Sequence, residues 1–161
     1  MENLPTSSEV KNTTELLQLV TFGLDEEVYG VEVLKVREII RPPQITKMPN
    51  VPNYIDGIIN LRGKVIPIVS MRDKFGLVRN EKTSSTRIMV MDIEEELIGF
   101  VVDSVSEVIR ISGKDVQPSP SIGTGTGHEF ITGIYNHYEK LVVLLDLDKM
   151  FTAEEKQIIL Q

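Results

Sequence analysis

Residues 26–41 read Glu26-Glu27-Val28-Tyr29-Gly30-Val31-Glu32-Val33-Leu34-Lys35-Val36-Arg37-Glu38-Ile39-Ile40-Arg41. Residues 95–110 read Glu95-Glu96-Leu97-Ile98-Gly99-Phe100-Val101-Val102-Asp103-Ser104-Val105-Ser106-Glu107-Val108-Ile109-Arg110. At a constant offset of 69 the two stretches share Glu26/Glu95, Glu27/Glu96, Gly30/Gly99, Val33/Val102, Val36/Val105, Glu38/Glu107, Ile40/Ile109 and Arg41/Arg110. A second block repeats at an offset of 76, where Gly57-Ile58-Ile59-Asn60 meets Gly133-Ile134-Tyr135-Asn136, Lys64 meets Lys140 and Phe75 meets Phe151. The offset grows because the connector 111–132 is longer than its counterpart 42–56 and holds Pro118, Pro120 and the run Gly123–Gly127.

The chain is therefore an internal duplication of a unit of about seventy residues. Each unit reads as a strand (Leu19–Phe22, Ile88–Met91), an acidic turn, and a returning strand rich in β-branched residues. A bend follows, then a loop, a short strand, a hairpin, an apolar strand and a helical turn ending in Phe. Short, evenly spaced strands predict an all-β barrel or sandwich. A unit this small has a thin core, so two barrels sharing an interface are expected, one from residues 16–86 and one from 87–151. Residues 1–14 read as a flexible, polar N-terminal tail. Residues 153–160 read as a helix, with Thr152 and Glu155 spaced for a capping box.

Composition excludes several classes of function. The 161 residues carry a net charge of −7, against a general grip on phosphate backbones. There is no Cys, hence no disulfide, thiolate metal site or cysteine nucleophile, and the two His, His128 and His137, stand apart in sequence. No apolar run approaches the ~18 residues of a membrane helix, and the start lacks the pattern of a signal peptide, so a cytosolic protein is expected. Charge is uneven: Arg62 to Arg87 holds seven Lys or Arg against Asp73 and Glu81. Such an excess can steer a partner, though it more often marks a solvated face.

Candidate chemistry is sparse. Gly123–Gly127 lacks the Lys-Ser/Thr pair of a phosphate loop and reads as a flexible connector. Asp103-Ser104 and Ser106-Glu107 have no base in a recognisable catalytic setting. The acidic tips at 25–27 and 94–96 lack the spacing of a calcium loop. No cofactor is called for. The Asn60-Leu61-Arg62-Gly63-Lys64 turn is more informative, because its copy, Asn136-His137-Tyr138-Glu139-Lys140, keeps the Asn but not the Arg-Gly pair. Glu38 and Arg62 are expected to approach each other and fix that turn.

Taken in order and spacing, these stretches resemble the CheW-like family of chemotaxis coupling proteins from about Leu19 to Leu160. The resemblance is carried by Tyr29-Gly30-Val31, Val36–Ile40, Gly57–Val69 (with Asn60-Leu61-Arg62-Gly63-Lys64 and Pro67), Phe75-Gly76-Leu77, Gly99–Val108 and Leu144-Leu145-Asp146. It implies two five-stranded SH3-like β-barrels around a shared core, with short helical turns and a C-terminal helix. It implies no enzyme activity, cofactor or metal. It also implies an adaptor, without nucleic acid, joining the cytoplasmic tip of chemoreceptors to the regulatory domain of the histidine kinase CheA. Such a protein is cytoplasmic and reaches receptor arrays at the membrane only through those receptors. The implied receptor-side residues are Val36, Glu38, Gly57, Arg62, Val105 and Val108; the kinase-side surface has no signature motif. The alternative is the same module within a larger kinase or coupling-receiver protein. One departure is Ser70, where the family usually has Asp; a Ser there can still cap the helical turn 71–75.

Overall fold

A computed structural model describes residues 15–79, 81–119 and 129–160. The expected tail 1–14, the run Gly123–Gly127 and His128 lie outside the described residues. Ten strands follow in order: β1 (Leu16–Leu24), β2 (Glu27–Glu32), β3 (Val36–Ile40), β4 (Ile55–Leu61), β5 (Lys64–Ser70), β6 (Arg87–Ile93), β7 (Glu96–Val102), β8 (Ser104–Ser112), β9 (Ile131–His137) and β10 (Lys140–Leu145). Two short helices, α1 (Met71–Lys74) and α2 (Ala153–Ile159), follow β5 and β10, the latter after a 3-10 turn at Leu147–Met150.

The strands form two five-stranded sheets, ordered β8-β1-β2-β10-β9 and β3-β6-β7-β5-β4. This corrects the expectation that each repeat closes its own barrel. Each sheet takes a hairpin from one repeat and three strands from the other. The crossovers explain the exchange. To pair beside β1 in its own sheet, β3 would have to traverse two strand spacings, about 10 Å. The crossover from Glu32 to Val36 is a 3-10 turn of Val33–Lys35, four steps that advance about 8 Å. The second crossover is shorter still, a single residue, Asp103, between β7 and β8. The third strand of each repeat therefore leaves its sheet and pairs with the first strand of the other copy: β3 with β6, β8 with β1.

Side-chain alternation then sorts the core into three parts. Leu17 and Leu19 of β1 pack with Ile109, Ile111, Val142 and Leu144 inside one barrel. Ile59, Ile66, Ile68, Ile88 and Val90 fill the other. The opposite face of β1, with Val20, Phe22 and Leu24, joins Met89, Met91, Ile98, Phe100, Leu147 and Phe151 in a larger core between the sheets. Strands buried on both faces read as nearly continuous apolar runs, as β1 and β6 do. Gly99 fixes the parallel register of β5 and β7, where Ile68 faces it. A Cβ there would stand 2.7 Å from Ile68 Cδ1 and 2.8 Å from Ile88 Cγ2.

The helix signals hold. Ser70 Oγ accepts from the Asp73 N–H at 3.2 Å, so the Ser in the departing position does cap α1. Thr152 and Glu155 form a reciprocal capping box at the start of α2. Lys74 of α1 donates to Glu155 of α2 at 2.9 Å and lies 4.4 Å from the Tyr54 ring centre, fastening the two helices together.

Candidate partner-binding surface

Strands β3 and β8 are edge strands, one in each sheet, and both carry a bulge. On β8 the register shifts opposite Thr21 and Phe22, leaving Ser106 as the extra residue; on β3 it leaves Arg37. The Thr21 hydroxyl satisfies one bulge, donating to the Glu107 carbonyl at 2.9 Å and accepting from its N–H at 3.2 Å. A bulge re-aims the side chains beyond it. Val36 and Val105, just before the bulges, pack partly against the shared core. Val108 pairs directly with Val20 and so lies on the face that looks toward the other barrel, yet it is 59 % exposed. Its counterpart in the first repeat, Ile39, pairs with Met89 and is 39 % exposed. The sequence reading named Val108 and not Ile39, although the offset of 69 places one on the other.

The six expected residues fall into two groups. Val36, Glu38, Gly57 and Arg62 belong to one sheet, Val105 and Val108 to the other. Within the first group, the Arg62 guanidinium donates to the Glu38 carboxylate, as expected. Arg62 (φ 52°) and Gly63 (φ 86°) form a two-residue turn with both φ positive, and Asn60 Oδ1 accepts from the Gly63 N–H at 2.9 Å. The second copy makes the same turn from Tyr138 (φ 52°) and Glu139 (φ 67°). There Glu107 faces His137 Nε2 at 3.6 Å, beyond hydrogen-bond range. Each barrel thus faces an acid of its third strand with a side chain of its last hairpin.

Gly57 has a backbone reason to be glycine. It sits buried at φ 145° under the 45–46 loop, where a Cβ would lie 2.1 Å from the Thr46 carbonyl oxygen. That approach permits the two hydrogen bonds between Thr46 and Ile58, each 2.9 Å.

A denser polar cluster joins the sheets elsewhere. Arg72, on α1, donates from Nε to Asp103 Oδ1 at 2.9 Å and from Nη2 to Asp103 Oδ2 at 2.7 Å. It also bonds Asp25 at the β1–β2 tip and the Val78 carbonyl. Its side chain is only 11 % exposed. Burial alone pushes the Asp103 carboxyl up, but Arg72 and the Asp25 N–H outweigh burial and hold it below the usual carboxylate range. Asp103, set aside in the sequence for want of a catalytic base, is a structural ion-pair partner. The basic excess from Arg62 to Arg87 is likewise largely spent within the fold: Arg62 on Glu38, Arg72 on Asp25 and Asp103, Lys74 on Glu155, Arg79 on Asp56 and Asp73.

A cleft of about 850 Å³ opens between Pro43, Ile45, Met48 and Leu77, but both carboxylates that face it, Asp56 and Asp73, are held by Arg79. Among the described residues no three His, Asp or Glu converge to hold a metal ion, and no helix is long and apolar enough to cross a membrane.

Comparisons with known proteins agree on one family. The family model of the CheW-like domain matches residues 18–155. The chemotaxis protein CheW of Treponema pallidum is 34 % identical over 147 residues, covering 89 % of this chain and 86 % of that protein. CheW of Klebsiella aerogenes is 31 % identical over 159 residues, covering 99 % and 96 %. The crystal structure of the scaffolding protein TtCheW from Thermoanaerobacter tengcongensis superposes with a TM-score of 0.79 at 35 % identity, covering 88 % of this chain and 97 % of that one.

Proposed function

This chain belongs to the family of CheW-like domains, and from that premise we propose that it is a non-enzymatic chemotaxis adaptor coupling the cytoplasmic tips of chemoreceptors to the regulatory domain of the kinase CheA. The observation that carries the reading is the pair of crossover strands. Each presents an apolar side chain, Ile39 or Val108, on the face toward the neighbouring barrel without covering it. An uncovered apolar side chain beside a half-buried one, flanked by an acid, is the kind of surface that seats one face of a partner helix. The receptor side is assigned to Val36, Glu38, Arg62, Val105 and Val108, with Ile39 added and Gly57 contributing through the backbone it permits. The protein would work at the cytoplasmic face of the membrane, held there by receptors. It would transmit a signal by binding receptor or kinase states with unequal affinity, since equal affinity shifts no equilibrium.

The test is calorimetric titration of the purified chain with a receptor cytoplasmic hairpin and, separately, with the kinase regulatory domain. Saturable binding to each, and a ternary complex with both, is the expected result. Absence of binding to either at about 100 μM, an affinity weaker than roughly 5–6 kcal/mol, overturns the reading.

A further inference from the structure

The two crossovers of the duplicated fold are built differently. Asp103, the crossover into β8, is gripped through both carboxylate oxygens by Arg72, which at the same time holds Asp25. Asp103 Oδ2 also accepts from the Asp25 N–H at 2.8 Å, and the Asp103 N–H donates to the Gly23 carbonyl at 3.0 Å. The matching places in the other half are Leu34 for Asp103, Asp148 for Arg72 and Glu94 for Asp25. No such triad stands there. Leu34 is 92 % exposed, Lys35 bonds Asp148 through one oxygen, the other Asp148 oxygen is buried without a partner, and Glu94 turns to Lys156. The same strand exchange therefore forms in the other half without the triad, so the exchange itself does not require it. What the triad uniquely does is lock the start of β8, two residues before Val105 and five before Val108, to a helix of the opposite sheet.

We propose that Arg72 is a positioning residue for the partner-binding face: by holding Asp103 and Asp25 together it fixes β8, with Val105 and Val108, relative to the sheet that carries Val36, Glu38 and Arg62. The proposal rests on the adaptor reading above. A helix partner bridging both groups would meet a preorganised surface and avoid the cost of ordering it.

The chain has no Cys, so Ser106→Cys on β8 and Val65→Cys on β5 accept a unique pair of spin labels, and pulsed electron resonance reads the distance between the sheets. The wild-type background should give one narrow distribution. Arg72→Met should broaden it, Arg72→Lys, with a single-point donor, should lie between, and Leu17→Ala, a truncation inside one barrel at the end of β1 far from the clamp, should lower the melting temperature without broadening. In the unlabelled proteins Arg72→Met should weaken receptor-hairpin binding about tenfold through lost preorganisation. An unchanged distribution in Arg72→Met, equal broadening in Leu17→Ala, or broadening with unaltered receptor affinity each overturns the positioning role. If Arg72→Met does not fold, Asp103→Asn, which keeps one acceptor oxygen, turns the other into an NH2 donor and loses the charge, takes its place. The distance measurement uses no partner, so wild-type failure to bind any receptor hairpin counts against the adaptor reading alone.

Discussion

Reversing the charge of Arg62 should separate folding from assembly. The Arg62 side chain is 70 % exposed and its partner Glu38 is 30 % exposed, so their attraction is screened and worth about 0.5 kcal/mol. Arg62→Glu removes that attraction and sets two carboxylates against each other, a repulsion of similar size. The loss is about 1 kcal/mol, which lowers the melting temperature of a domain this long by roughly 2–4 °C. Binding should suffer more. The turn that Glu38 steadies would swing away, and a partner would meet an added negative charge. A tenfold weaker receptor complex, about 1.4 kcal/mol, is expected. The charge exchange, Glu38→Arg with Arg62→Glu, restores the opposite signs and should recover part of both losses. The assay is a double-mutant cycle read by thermal melts and by titration with a receptor hairpin. A coupling energy of zero in both readouts refutes the pairing argument. Coupling in the melt with no recovery of binding means instead that Arg62 touches a partner carboxylate directly.

Three further outcomes follow from the same geometry. Val108→Asp should leave the melt nearly unchanged, because the position is already exposed, while abolishing most receptor binding by desolvating a carboxylate against an apolar helix; a collapsed melt would show Val108 to be core. Gly57→Ala should cost about 2–4 kcal/mol through its forbidden φ and its clash with the Thr46 carbonyl, seen as a lower denaturant midpoint; a change below about 0.5 kcal/mol would contradict the close approach. Asp103→Asn tests the depressed carboxyl: its folded value lies below its unfolded one, so its stabilisation is present above about pH 4 and drains away as pH falls through the folded value. The stability gap between wild type and Asp103→Asn should therefore be flat near neutrality and close in acid, and a gap that persists unchanged below pH ~3 argues against a charged Asp103 in the native state.

Much of this was legible in the residues. The matched Gly30 and Gly99 belong to the duplicated pattern because each second strand must let a parallel neighbour approach, and the Thr152–Glu155 spacing marked the last helix. The Glu38–Arg62 pair could be inferred from divergence between copies, since Glu107 persists where the arginine does not. The strand exchange was hidden, because a repeat in sequence says which strands are equivalent and not which copy they pair with. Arg72 was hidden for a different reason. Its partners Asp25 and Asp103 lie 47 and 31 positions away, and a charge in a basic stretch looks solvated until the chain folds over it. Gly57 was read as a contact because no sequence pattern shows the carbonyl of Thr46 above it.

Reciprocal exchange also decides what half of this molecule can be. Thr21 and Glu107 bond across 86 positions, so the first hairpin, once synthesised, has no edge partner until most of the chain exists. A polypeptide ending near residue 86 would hold β3, β4 and β5 without β6 and β7 between them, and would present unpaired edges prone to association. Two such halves made as separate chains should be soluble together and sticky alone, each completing the other's sheets. Two copies of one seventy-residue unit would meet the same condition, each supplying the third, fourth and fifth strands of the other's sheet.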